Sequence, residues 1–185
     1  MKILYSEQPV NAPTTEPIVS LLTDSSVSRN HKPLFVPPHH DMWTLTIGPG
    51  VKVSRLGKFV APRFASRYYD AMTLVARLRP ASVSMPASAT DIAFDSSIVI
   101  GEWLPIPADV DMLDLTLTSG GELTTISIPR SLIDDTVARM SSYFMIKHGD
   151  VIVPGDLPMM ETDVRLDSLI DIMLNGTTCL HFKIK

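Results

Sequence analysis

Along much of the chain, apolar and polar positions alternate with a period of two. Trp43, Leu45 and Ile47 face Thr44 and Thr46; Leu113, Leu115 and Leu117 alternate within 112–118; and Leu180, Phe182 and Ile184 alternate with His181, Lys183 and Lys185. Side chains on a strand point to opposite faces in turn, so these runs predict half-buried strands. Turn residues join two pairs of them: Ser119-Gly120-Gly121-Glu122, and Asn175-Gly176 between 170–174 and 178–184. Both predict hairpins. Two windows carry helical spacing instead. Phe64, Tyr68, Met72, Val75 and Leu78 predict a helix over 64–78 that Pro80 ends. Leu132, Val137, Met140 and Phe144 predict a second over 131–144, with Ser131 as its cap, Asp134 and Asp135 in the positive first turn, and Lys147-His148-Gly149 closing it. The 15 prolines leave little room for more helix. The stretch 81–92 begins with small polar residues and no apolar face, and reads as a flexible loop inside one domain spanning 1–185. The pattern therefore predicts a mixed α/β fold, mainly antiparallel or mixed sheet with two short helices.

Composition narrows the function. With 185 residues, 45% of them hydrophobic and 19% charged, the chain can bury a real core. A net charge of −4 without a basic cluster argues against nucleic acid as partner. The single cysteine, Cys179, excludes an internal disulfide and any CxxC motif, and points to a reducing, cytoplasmic setting. The first residues turn polar too early for a signal peptide, and no apolar run is long enough for a membrane helix, so no membrane partner is expected. Fifteen of the 20 acids are Asp, and no Glu lies between Glu16 and Glu102.

Few residues suggest chemistry. His39-His40-Asp41 is the densest group of metal-competent side chains, yet alternation along a strand lets only His39 and Asp41 share an ion. No Gly-x-Ser-x-Gly elbow is present, and Cys179 sits inside a strand pattern. Gly48-Pro49-Gly50 lacks the Lys-Ser/Thr of a phosphate loop and reads as a turn between strands. Asp109, Asp111 and Asp114, like the acids from Asp163 to Asp171, read as a solvated rim.

Longer segments carry a family resemblance. The run from Arg55-Leu-Gly-Lys-Phe-Val to Tyr68-Tyr-Asp-Ala-Met-Thr73, then Ala93-Phe-Asp-Ser-Ser97 with Val99-Ile-Gly-Glu102, then Ser142-Tyr-Phe-Met-Ile-Lys-His-Gly-Asp-Val-Ile152, resembles the fumarylacetoacetate hydrolase family in a bacterial version. The resemblance implies a mixed β-sheet roll, commonly a homodimer, whose Mg²⁺ or Mn²⁺ polarises diketo or 2-oxo acids held by a Glu-x-Glu pair and a later Asp. The strand expected to carry the Glu pair, 43–53, has no Glu, and Arg77 or Thr73 takes the place of the Asp. The family's Lys is Ile92 here, and its Thr-Gly-Thr-Pro loop reads Pro154-Gly-Asp-Leu-Pro158. By resemblance, His39, Asp41, Arg77, Phe94, Asp95, Gly155 and Asp156 outline a vestigial pocket with no catalytic residue and no cofactor, able to take a small anion on Arg77. The implied protein is a binding or interaction module, a homodimer or the partner of an active paralogue. The alternative is a divergent metal-dependent hydrolase, lyase or decarboxylase whose site is rebuilt from His39, His40 and Asp41 with Asp95 or Asp156.

Overall fold

The structure, a computed structural model, describes residues 1–7, 18–81, 87–106, 110–119 and 122–185. In chain order the elements are β1 (Ile3–Glu7), β2 (Ile18–Leu22), β3 (Val27–Arg29), β4 (Trp43–Val53), β5 (Tyr69–Pro80), α1 (Ala89–Ile92), β6 (Ile98–Ile100), β7 (Leu104–Pro105), β8 (Met112–Ser119), β9 (Glu122–Pro129), α2 (Arg130–Tyr143), β10 (Val151–Gly155), β11 (Met160–Asp163), β12 (Leu169–Leu174) and β13 (Thr177–Lys183). Among the described residues they form two sheets. The larger is nine-stranded and mixed, in the order β2-β1-β10-β4-β5-β6-β3, with β11 beside β4 and β7 beside β5. Its parallel pairs are β1 with β10 and β3 with β6. The smaller is an antiparallel sheet, β13-β12-β8-β9. The mixed, mainly β architecture is the one the alternation predicts.

The tail hairpin forms as expected: Asn175 (φ 49°) and Gly176 (φ 76°) are both left-handed, as a two-residue turn matched to strand twist requires. Leu180, Phe182 and Ile184 face the core. The hairpin is flanked on both sides. Strand β12 lies between β13 and β8, and the outer edge of β13 is taken by 31–36, where Leu34 N–H donates to Lys183 O (2.8 Å) and Val36 N–H to Lys185 O (2.8 Å). Among the described residues, the free edge of that sheet is β9. The strands of the first hairpin also pair as expected, Ser119 opposite Glu122; its Gly120-Gly121 turn lies outside the described residues.

The predicted helix over 64–78 is corrected. Only Pro62–Arg67 coils, as a 3-10 turn, and Tyr69–Pro80 is strand β5. Residues 72–78 are all buried: Met72, Leu74, Ala76 and Leu78 join the main core, while Val75 joins a second cluster with Ile3, Tyr5 and Val153 on the other face. A strand buried on both faces shows no alternation, and its apolar run matched helical spacing by coincidence. Helix α2 forms close to the predicted window, but Pro129 precedes its first turn, Ser131 is not its cap, and it ends at Tyr143. Lys147–Gly149 belong to the next turn, where Gly149 has φ 85°. Within 81–92, Ala89–Ile92 forms one helical turn; 82–86 lie outside the described residues.

Gly48-Pro49-Gly50 is not a turn either but the buried middle of β4. Strand β11 pairs with Thr44–Ile47 and β10 with Val51–Lys52, leaving these three residues without a strand partner on that side among the described residues. Across β5, Pro49 stands opposite Leu74, whose N–H donates to Cys179 Sγ (3.2 Å) and whose C=O accepts from Gly101 N–H (2.9 Å). The Leu74 backbone is thus engaged away from β4, so the missing Pro49 N–H falls in the gap between β10 and β11 and breaks no ladder bond.

Strand β5 is tied to α2 by Tyr69, whose hydroxyl donates to Asp134 Oδ1 (2.9 Å). Burial pushes the Tyr69 phenol up to about 12. The folded state then keeps a proton that the unfolded chain loses near pH 10, so this contribution is intact below pH 10 and fades as pH rises toward 12. Melting temperature is expected to fall across that window, with part of the tyrosinate absorbance at 295 nm arriving only with unfolding; full tyrosine titration before any loss of structure would contradict it.

Candidate functional site

One face of the large sheet gathers its buried charges. On β5, Thr73, Val75, Arg77 and Arg79 share a face, and the β4 residues opposite them are Gly50, Gly48, Thr46 and Thr44. Glu161 of β11 lies opposite Thr46, and Glu7 of β1 lies opposite Gly155 of β10. Arg77 is fully buried. Its Nη1 donates to Glu7 Oε1 (2.5 Å), which also accepts from Ser20 Oγ (2.5 Å). Its guanidinium carbon stacks 4.3 Å from the Tyr5 ring centre, and its carbonyl accepts from Thr46 Oγ1 (3.4 Å). The remaining edge of the guanidinium, Nε and Nη2, has no hydrogen-bond partner among the described residues. Burial pushes the Tyr5 phenol up, against the pull of the adjacent Arg77 charge.

Above this pair opens a cavity of about 330 Å³, bounded by Tyr5, Glu7, Thr46, Arg79, Gly155 and Glu161. A wider groove of about 590 Å³ between β11 and the small sheet has no buried charged side chain in its walls. The smaller cavity, built around a buried ion pair, is the better candidate for specific recognition.

The residues outlined by resemblance do not come together in one place. Gly155 lines the cavity and Arg77 lies beneath it. His39 and Phe94 meet in an aromatic nest with Trp43, ring centres 5.1 to 5.6 Å apart, where His40 Nε2 lies 3.0 Å from Asp91 Oδ1. Asp91 is held below the usual carboxylate range by its hydrogen bonds from Ser88 and His40. Asp41 and Asp95 are exposed. Asp156 pairs with Arg139 of α2 instead. Glu7, Tyr5, Arg79 and Glu161 were not singled out from the sequence. The alternation of Ile3, Tyr5 and Glu7 onto one face of β1 is the signal that could have found the first two.

A hard divalent cation needs about six oxygens with carboxylates among them. The face of β4 toward Arg77 offers Thr46, Gly48 and Gly50, and a Cβ on Gly48 would lie 2.0 Å from the Met159 thioether sulfur. Among the described residues, no group of three or more His, Cys, Asp or Glu is placed to hold an ion. These residues do not fit Mg²⁺ or Mn²⁺.

No protein-family model matches the chain, and no curated protein matches it by sequence. Solved structures do. A protein assigned to the fumarylacetoacetate hydrolase family from Yersinia pestis superposes with TM-score 0.81 at 18% identity, covering 100% of this chain and 93% of that one. The chain has the fumarylacetoacetate hydrolase fold. Fumarylpyruvate hydrolase from Pseudomonas aeruginosa, solved with Mn²⁺ and pyruvate, gives TM-score 0.79 at 15% identity over 99% of this chain and 88% of that one. The 5-carboxymethyl-2-hydroxymuconate delta-isomerase of Mycobacterium smegmatis gives 0.80 at 16% identity over 99% and 78%. The fumarylacetoacetate hydrolase fold thus accommodates hydrolase and isomerase relatives, and the resemblance read from the motifs holds at the level of the fold.

Proposed function

We propose that this chain is a divergent relative of the fumarylacetoacetate hydrolases that has lost metal-dependent catalysis and binds a small molecule in the cavity above Arg77 and Glu7. The observation that carries this reading is the buried Arg77–Glu7 ion pair, its guanidinium standing at the position that the resemblance gives to the family's metal-binding Asp. The fold relatives' own activities, on fumarylpyruvate and on 5-carboxymethyl-2-hydroxymuconate, supply the substrates to test.

The expected result is no metal-stimulated turnover of an acylpyruvate or oxaloacetate, and no rise in melting temperature with millimolar Mn²⁺ or Mg²⁺. Metal-dependent loss of the acylpyruvate enol absorbance would overturn the proposal and restore the catalytic reading. Self-association is part of the same proposal. The uncharged stretch Leu123–Ile128 along the free edge of β9 offers main-chain groups to a second copy. Light scattering is expected to give twice the chain mass, and a clean monomer at tens of micromolar would refute that element.

A further inference from the structure

We propose that the cavity takes a zwitterion of the α-amino acid class, its ammonium group between Glu7 and Glu161 and its carboxylate on Arg79; this rests on reading the cavity as a binding site. Glu7 is only 4% exposed yet lines the cavity. Its Oε1 is occupied by Ser20 and Arg77, while Oε2 makes no hydrogen bond among the described residues. With Glu7 lining the cavity, its second carboxylate oxygen is left to accept from a donor that a ligand brings.

The two outer charges reinforce this. Arg79 lies two residues beyond Arg77 on the same face of β5, and Glu161 enters from β11 on the far side of β4. Both line the cavity, yet their side chains form no ion pair with each other, and neither side chain makes a hydrogen bond or ion pair elsewhere among the described residues. Opposite charges held apart across one cavity fit a ligand that carries both. A dianion would meet Glu7 and Glu161, and a diamine would meet Arg79. A ligand with one ammonium and one carboxylate answers all three groups, and Arg79 can hold the carboxylate through two parallel N–H donors. Pro158 and Met159 on the cavity wall leave an apolar side for the ligand's side chain. At about 330 Å³ the space lies at the small end of ligand pockets, roughly 300–1,000 Å³.

The test screens the twenty common L-amino acids at about 10 mM by thermal shift, then compares the best ligand by calorimetry with two analogues, one lacking the ammonium and one lacking the carboxylate. For L-leucine these are 4-methylpentanoate and 3-methylbutylamine. At least one amino acid is expected to bind, and removal of either charged group is expected to weaken binding about tenfold or more. Arg79→Gln should weaken the amino acid without affecting the amine, and Glu161→Gln should weaken it without affecting the acid; both side chains sit at the cavity rim, and unaltered melting of the free variants checks that they fold. If no amino acid binds, or if the carboxylate analogue binds as well as its parent, the zwitterion inference is overturned. Metal-independent binding of that analogue alone would overturn it while leaving the binding reading intact, whereas metal-dependent turnover would remove the binding reading itself.

Discussion

Glu7→Gln is expected to lower the melting temperature by roughly 10 °C, although it changes one atom of a side chain that stays hydrogen-bond competent. Glutamine keeps an acceptor for Ser20 Oγ and Arg77 Nη1, so the substitution removes charge and little else. Arg77 cannot neutralise itself by losing a proton, and it is fully buried with Nε and Nη2 already without partners. Removing one partner of a buried pair costs about 3–5 kcal/mol because the other charge is left uncompensated. In a domain of this size each kcal/mol moves the midpoint by about 2–4 °C. The stack on Tyr5 offsets only ~1–2 kcal/mol of such a loss. The double variant Glu7→Leu with Arg77→Met should recover most of the stability, since replacing a buried pair by apolar groups of similar volume is often neutral. Differential scanning calorimetry on the three proteins decides it. A Glu7→Gln midpoint within 2 °C of the parent would mean that the charge of Arg77 is compensated by something other than Glu7.

The same pair explains what the sequence could and could not convey. Elements with one wet face were legible: β8 and β13 alternate cleanly, and Asn175-Gly176 supplied the left-handed turn of their sheet. The middle of the large sheet was not. Residues 48–50 of β4 and 72–78 of β5 are covered on both faces, so alternation is absent there, and the pattern suggests a turn in the first and a helix in the second. The site suffered most from this. Arg77 lies within a stretch that carries the family resemblance, but its partner Glu7 stands 70 positions earlier and is brought to it only by the β1-β10-β4-β5 order. Charges that meet across four strands leave no spacing in the chain. Conversely, His39 and Asp41 looked ligand-like because they are close in sequence, yet His39 packs its ring on Trp43 and Phe94 while Asp41 stays in solvent.

Gly155→Ala is expected to cost about 3 kcal/mol, well above Gly48→Ala or Gly176→Ala. Its backbone needs no special φ; what forbids a side chain is space. A Cβ there would lie 2.1 Å from Tyr5 Cε1 and 2.5 Å from the Ser6 carbonyl oxygen. The carbonyl belongs to β1, which pairs in parallel with β10 at Glu7 and Gly155, so it cannot withdraw without opening that ladder. Tyr5 cannot swing aside freely either, because it is buried and stacked on Arg77. Relief therefore has to disturb the Tyr5, Arg77 and Glu7 assembly that floors the cavity. Two other glycines make the comparison. A Cβ on Gly48 meets only the far end of the flexible Met159 side chain, which can turn away, while Gly176 has open space and needs only its positive φ of 76°. Gly176→Ala should cost about 1 kcal/mol, the ordinary penalty of placing a Cβ in a left-handed turn. Chemical denaturation of the three variants at equal slope gives the order directly. If Gly155→Ala proved no worse than Gly176→Ala, the close approach of β10 to Tyr5 would not be the contact that holds the cavity floor in place.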